Sequence, residues 1–482
     1  MLKKFPLLVA LVPMVFLIAM LSYNVIEVFS DDALGGSNQL TLLLSAGLAG
    51  FLAIATGTEW KKIIKGITKS IASTVPSILI LLFIGSLAGT WLISGVVPAM
   101  VYYGLNILSP SIFLVATVLI CALVSLATGS SWSTVATVGI ALLGIGQAMG
   151  FSEAMVVGAI ISGAYFGDKI SPMSDTTNLA PAMAGTDLFT HIRYMLYTTV
   201  PSMVITLIIF LLLGFAQAKS GEVSVDHIQA VLTDNFTING WLFIVPVAVI
   251  GLIVARVPAL PALMIGTLLG GVFAVIFQPH LIVTLAGLEG ASFFKSAYMT
   301  LMNSMTVSTQ IETGDAVMND LLSAGGMGGM MNTIWLIICA MAFGGVMESA
   351  GFLKTIGKAI IKLAKNTLGL VSSTAASCLF LNVTASDQYL AIVVPGRMFA
   401  KIYEKRGLKP EVLSRTLEDS GTVTSVLVPW NTCGATQAGV LGVATIAFAP
   451  YCFFNIISPF MTIFVTAINY KIRRIEPKEV AV

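Results

Sequence analysis

One stretch limits what this chain can become. Residues 159–185 lie in an apolar region long enough to cross a bilayer, yet their centre, GDKISPMSDTTNLA at 167–180, is polar. It gathers Asp168, Lys169, Ser171, Ser174, Asp175, Thr176, Thr177 and Asn178 around Pro172. Each charge at bilayer depth costs roughly 2.5 to 3.5 kcal/mol on insertion scales, so a spanning segment that carries three has a use for them. Pro172 removes a backbone donor and crowds the turn before it, which frees carbonyls beside the carboxylates and hydroxyls. The pattern predicts a broken transmembrane helix lining an ion path. A helix end neutralised by an Asp168–Lys169 pair and followed by a Ser/Thr loop is the competing reading, but the apolar runs on both sides leave little room for an external loop.

Composition agrees with a membrane solvent. The chain is 57% hydrophobic and 10% charged, with mean hydropathy +0.94, which describes a polytopic membrane protein rather than a soluble one. A formal net charge of +2 over 482 residues offers nucleic acid nothing to bind. Cys121, Cys339, Cys378, Cys433 and Cys452 sit singly in apolar segments, so neither a disulfide framework nor a zinc site is expected.

Lys3 and Lys4 precede an apolar run from Phe5 to about Phe29, too long for a signal-peptide core and without a small-residue cleavage site. It reads as a first span with a cytoplasmic N-terminus, capped on the far side by Asp31 and Asp32. Residues 39–57 return to Lys61, Lys62, Lys65 and Lys69, and 72–97 form a third span. The apolar segments 112–127 and 133–149 are short for a crossing and flank the tip Thr128-Gly129-Ser130-Ser131-Trp132-Ser133-Thr134. They read as a re-entrant hairpin, 112–149, or else as two full helices joined outside. The broken helix, 153–185, follows. His191 and Arg193 then mark a cytoplasmic end before a span at 195–215, and the connector 217–239 with Glu222 and Asp234 reads as an external linker.

The second half repeats the plan. Spans at 240–255, 258–277 and 332–350 lead to Lys354, Lys358, Lys362 and Lys365, spaced along one helix face as in an interfacial helix. Arms at 367–382 and 389–402 flank a second tip, Asn382 to Tyr389, making a hairpin over 367–402. Residues 411–447 contain a second break, SGTVTSVLVPWNTCG at 420–434, where Pro429 and Asn431 stand roughly as Pro172 and Asp175 do. A last span, 451–470, ends at Lys471, Arg473 and Arg474. Of the 25 Lys and Arg, Lys219 and Lys295 fall outside, Lys169 and Arg397 lie in embedded segments, and the remaining 21 share one face. This positive-inside asymmetry requires the first hairpin to enter from outside and the second from inside. The expected fold is all-α: an inverted-repeat transporter with about ten spans, two re-entrant hairpins and two broken helices. Its halves are 1–216 and 240–482, both termini are cytoplasmic, and the stretch 290–330 is a candidate scaffold or homodimer surface.

The run GAIISGAYFGDKISPMSDTTNLAPAMAGTDLFTHIRYMLYTTVP, residues 158–201, resembles the signature block of the NhaC-type sodium/proton antiporters of the ion transporter superfamily. TGSSWST at 128–134, VPWNTCG at 428–434 and the ETG…GGM…FGGVMES region at 312–349 are similar to that family too. The resemblance implies a sodium/proton exchanger of a bacterial cytoplasmic membrane in which two hairpins meet two broken helices at mid-membrane. Families of this kind also include carriers that exchange organic acids or amino acids with protons or sodium.

Residue chemistry points the same way. Sodium is a hard cation that prefers oxygen ligands, and the tips and breaks offer Thr128, Ser130, Ser131, Ser133, Ser171, Ser174, Thr176, Thr177, Asn178, Thr384, Ser386, Asn431 and Thr432. A carboxylate there binds either Na+ or H+, and competition for one group suffices for antiport. Asp175 is the first candidate and its replacement by Asn is expected to abolish coupled transport; Asp168 is the second. Asp387 is either a partner in the second half or a helix cap. Lys169 is a charge partner or gate, and Trp132 and Trp430 stand where an aromatic could close over a substrate. Glu348, Glu418 and Asp419 read equally as capping, ion-paired or proton-relay groups. No cofactor is expected; Na+ and H+ are cargo, and the partners are small ions, a small organic solute in the alternative, and lipid.

Two other functions stay open. A carrier of a small organic anion or amino acid needs a cation at its site, for which Lys169 and Arg397 are the basic candidates. An intramembrane aspartyl protease could use Asp168 and Asp387, yet a hydrolase needs two facing carboxylates and water rather than paired hairpins.

Overall fold

The computed structural model describes residues 7–28, 36–217, 225–314, 316–361 and 365–475. Lys3, Lys4, Asp31, Asp32, Lys219, Glu222 and Lys362, used above as topology markers, lie outside the described residues. Among the described residues the fold is all-α apart from a two-residue strand pair, Thr309–Gln310 with Ser323–Ala324. Among the described residues eight helices are long and apolar enough to cross a membrane, or up to ten if each sharply bent pair counts as one span. In lipid every backbone group must be satisfied within its own segment, so apolar runs of this length become helices. Ser37–Ala55, Ala259–Phe277 and Met331–Ala350 start and stop close to the expected limits.

Other segments differ from expectation. The Lys61–Lys69 stretch, used above only as a marker of the cytoplasmic side, belongs to an amphipathic helix, Trp60–Ser73, that runs on into Val75–Ile93 as one 34-residue helix. Its lysines are exposed while Ile63 is buried. A further helix, Val96–Ile107, occupies most of the stretch between the expected third span, 72–97, and the hairpin arm at 112. The supposed external linker holds a helix, Val225–Asn235.

Ten helices build the centre. They are α1 (Pro110–Thr128), α2 (Ser131–Ala148, with a π-turn at Val135–Gly139), α3 (Glu153–Ile170), α4 (Asp175–Ala184) and α5 (Leu188–Gln217). The others are α6 (Thr367–Thr384), α7 (Gln388–Lys405), α8 (Pro410–Leu417), α9 (Thr432–Leu441) and α10 (Phe453–Ala467). At 19 and 18 residues, α1 and α2 are each long enough to cross, so length does not separate a hairpin from two spans. Packing does more. Helices α1 and α3 run parallel: Ser125 Oγ donates to the Ala164 carbonyl at 2.6 Å and Ser171 Oγ to that of Leu126 at 2.8 Å. A Cβ on Gly163 would lie 2.2 Å from the Val118 carbonyl oxygen, so the close approach needs glycine, as at small-residue interfaces in membranes. Both helices stop together at the break, and α4 continues beyond it.

The 30-residue α5, about 45 Å long at 1.5 Å per residue, acts as a ruler. Its C-terminal end meets the root of the first hairpin, with Gly214 against Ser111 and Gln217 Nε2 donating to the Gly150 carbonyl at 3.3 Å. Its N-terminal end meets α8, where His191 Nδ1 and Ser414 Oγ are 2.8 Å apart. The second hairpin has its root at that end, tied by Arg406 to the Lys365 carbonyl at 2.7 Å. The two tips therefore approach each other from opposite ends of α5.

Candidate functional site

Between the tips lies a cavity of about 640 Å³. Its wall is formed by the first tip (128–133), Asp168, the first break (172–176), the second tip (387–389) and Thr432–Cys433. Its rim comprises residues between 73 and 80 and the turn 253–259.

Asp168 is its most closely held carboxylate. It closes α3, is only 7% exposed, and its Oδ2 accepts from Ser131 N at 3.0 Å and Ser131 Oγ at 2.6 Å. Ser131 opens α2, and Ser130 caps that helix by accepting from Ser133 N, so a helix N-terminus faces the carboxylate and favours its charge. Gly129 makes the turn in the left-handed region, φ 69°. A Cβ there would come within 2.7 Å of Met173, which shows how tightly tip and break are pressed together. Asp175 behaves differently: it is the first residue of α4, exposed, and open to the cavity.

Much of the polar sequence around Pro172 serves the backbone. Thr177 Oγ1 donates to the carbonyls of Asp168 (3.1 Å) and Lys169 (2.9 Å), and Asn178 Nδ2 to those of Pro172 (2.9 Å) and Ser174 (2.7 Å). Ser171 holds α1, as described. These groups satisfy carbonyls that the break releases. Thr128, Ser130, Ser133, Ser174, Thr176 and Thr432 line the cavity.

At the second tip, Ser386 adopts φ 57° and its carbonyl accepts from Thr432 N at 3.0 Å, tying tip to break. Asp387 Oδ1 accepts from Leu390 N at 2.8 Å, so Asp387 caps α7 and also lines the cavity. Thr384 turns back to the Phe380 carbonyl. Asn431 Nδ2 reaches the Asn382 carbonyl at 3.0 Å, and Asn382 Nδ2 donates to the Gly421 carbonyl at 2.7 Å and to Thr424 Oγ1 at 2.9 Å. Asn431 is the cap of α9, as Ser174 is of α4. The local counterpart of Asp175 is thus Thr432, one position beyond the expected Asn431. Trp132 lines the cavity, whereas Trp430 Nε1 is bound to the Val383 carbonyl at 2.7 Å.

Lys169 does not turn to Asp168. Fully buried, it forms an ion pair with Asp419, 250 positions away, and donates to Ser458 Oγ at 2.9 Å. Arg397 is exposed on α7 and does not line the cavity; among the described residues the basic one that does is Arg256, on the rim, held at φ 65°. His191, expected near an end, is buried against Ser414. Three residues were not singled out from sequence: Gln388, whose Oε1 accepts from Ser425 Oγ (3.1 Å) and Cys433 Sγ (2.7 Å), together with Tyr389 and Cys433. The position of Gln388 and Tyr389 directly after Asp387 was the available signal.

The Na+/H+ antiporter family profile matches residues 163–469, which include both breaks and the second tip. The chain belongs to the Na+/H+ antiporter family. It is 38% identical to the Na+/H+ antiporter NhaC of Alkalihalophilus pseudofirmus over 88% of this chain and 87% of that one. It is 37% identical to the malate-2H+/Na+-lactate antiporter of Bacillus subtilis over 92% of this chain and 90% of that one. A Na+/H+ antiporter NhaC from Bacillus subtilis is 35% identical over 88% and 91% of the two chains. The resemblance read from residues 158–201 is borne out, and the Na+/H+ antiporter family together with the long apolar helices makes this an integral membrane protein.

Proposed function

We propose that this protein exchanges Na+ for H+ across a bacterial cytoplasmic membrane, the two cations competing for Asp168. The observation that carries the reading is the position of that carboxylate: buried, clamped by Ser131 at the first tip, and facing the cavity where tips and breaks meet. Ionised Asp168 attracts Na+, and oxygens of the kind a hard cation prefers stand close by at Thr128, Ser130, Ser174 and Thr176. Protonation removes the charge and releases the ion, so one site binds one cation or the other. Asp175, open to the same cavity, draws cations in, and Asp387 contributes from the second tip.

In this reading the halves, 1–216 and 240–482, form an inverted repeat of about ten spans with an external linker at 217–239. Both termini are cytoplasmic, both hairpins are re-entrant, and moving one half against the other exposes the site to either side. Residues 290–330 supply the surface for a homodimer.

A second reading has its own support. The malate-2H+/Na+-lactate relative, a cavity of 640 Å³ and Arg256 on its rim suit a small organic anion coupled to the same ions. One experiment separates the two: purified protein in liposomes with an internal pH dye, given Na+, Li+ or K+, then carboxylates and amino acids with and without Na+. Na+ alone is expected to shift internal pH, and Asp168→Asn to stop it. Silence until an organic solute is added favours the second reading, and wild-type exchange by Asp168→Asn removes that residue from the mechanism.

A further inference from the structure

The rim of the cavity carries a side chain that the Na+/H+ exchange scheme above does not use. The helix Ile244–Val254 ends in a turn in which Arg256 N donates to the Ile253 carbonyl at 2.9 Å and Val257 N to that of Leu252 at 3.0 Å. This closure puts the residue after the cap in the left-handed region, where glycine is the usual occupant. The same pair of hydrogen bonds closes helices at Gly57, Gly150 and Gly407, with φ of 89°, 77° and 67°. Arg256 stands in that position at φ 65°, where its Cβ meets a steric cost that glycine avoids. A backbone held at such a cost points to a use for the side chain, and this one is exposed and lines the cavity.

The charges around it select a partner. The cavity is lined by Asp168, Asp175 and Asp387, and among the described residues Arg256 is its one basic side chain. Asp168 is held by Ser131, and Asp387 Oδ1 is taken by Leu390 N. Asp175 is exposed, and among the described residues neither it nor Arg256 forms an ion pair or a hydrogen bond through its side chain. Two opposite charges, both free, thus share one cavity whose walls focus the field between them. We propose that Arg256 is a tethered cation that competes with Na+ for Asp175. The inference rests on the Na+/H+ exchange reading. A guanidinium stays charged at every working pH, so this competition differs in kind from that with H+. It weakens the hold on Na+ while the cavity is open along this rim, and so eases release of the ion there.

The test follows Na+-driven pH change by the full-length protein in liposomes over a Na+ series, with thermal stability measured in parallel. Arg256→Gln removes the competitor: apparent KM for Na+ is expected to fall about two- to fivefold, the range of an exposed ion pair, at unchanged thermal stability. Arg256→Lys keeps the charge and should hold KM near wild type. In an Asp175→Asn background, adding Arg256→Gln is expected to leave KM where it was. An unchanged KM in Arg256→Gln overturns the proposal, as does an equal fall in the Asp175→Asn background, which would make Arg256 part of a general field. A KM that rises, with transport of an added carboxylate lost, overturns it too and makes Arg256 an anchor for an organic anion. Should Arg256→Gln fail to fold, Arg256→Gly relieves the turn and is read against the same expectations. If wild type gives no Na+-driven signal, the exchange reading fails by itself. Na+ binding followed by calorimetry on the purified protein then tests Arg256: tighter binding in Arg256→Gln supports the competition, and equal binding overturns it.

Discussion

The two helix breaks share a backbone device and differ in chemistry. At the first, Pro172 separates α3 from α4 and two carboxylates flank the gap, one clamped by a helix N-terminus and one open to the cavity. At the second, Pro429 separates the π-turn segment from α9, and the gap is closed by neutral donors, two Asn amides and an indole: Asn431 to Asn382, Asn382 to Gly421 and Thr424, Trp430 to Val383. Its carboxyls, Glu418 and Asp419, lie before the gap and wholly buried. One break offers charge to the cavity, while the other braces the tip that faces it. Interrupting a helix thus frees backbone groups at both breaks, and the side chains decide which break carries charge at the cavity.

The sharpest test of the division is the bridge between the breaks. Lys169→Ala leaves Asp419 buried and unpaired and is expected to destabilise the protein by about 3 to 5 kcal/mol, read as lost thermal stability in detergent. The double variant Lys169→Ala/Asp419→Ala recovers part of it; a double variant no more stable than the single one means the pair is not a coupled unit.

Asp168→Asn should act on function instead of folding. Na+-driven exchange is expected to fall about 100-fold, equivalent to about 2.8 kcal/mol of lost cation binding, with thermal stability close to wild type. Asp175→Asn, at an exposed position, should weaken apparent Na+ affinity by a smaller factor. Flux measured over a Na+ series ranks the two, and the reverse order would move the site from Asp168 to Asp175.

Asn431→Ala removes a cap and a brace and should cost about 1 to 2 kcal/mol while leaving Na+/H+ coupling in place. Loss of coupling with stability intact would break the comparison, because it would make the second break part of the cation site.

The smallest effect is expected just beyond the first break. Asp187 precedes α5, and hydrogen bonds from the Thr190 hydroxyl and backbone hold its carboxyl below the ordinary carboxylate range. A folded-state value below the unfolded one stabilises at neutral pH, and that contribution fades as pH falls through the folded value. The difference in thermal stability between wild type and Asp187→Ala should therefore shrink on acidification; a pH-independent difference would assign the effect to packing.

Hydropathy and prolines made much of this legible. Apolar run lengths placed the spans to within a few residues at Ser37–Ala55 and Ala259–Phe277, since lipid leaves a backbone no other way to satisfy its polar groups. Pro172 and the polar residues around it located the first break. Local pattern could not say which hydroxyls would face the cavity: Thr177 and Asn178 look like ligands in the sequence and are consumed by carbonyls in the fold. Nor could it separate α1 and α2 from ordinary spans by length.

What the sequence determined by itself is therefore the solvent, the helices and the places where two of them break, because these follow from the transfer cost of short segments. Tertiary structure alone decided the partners. Lys169 reaches Asp419 across 250 positions and Ser131 reaches Asp168 across 37, and such pairings depend on how helices dock rather than on any local preference. The choice of Asp168 over Asp175 as the clamped carboxylate is of the same kind: both are aspartates beside one proline, and only the approach of the first tip tells them apart.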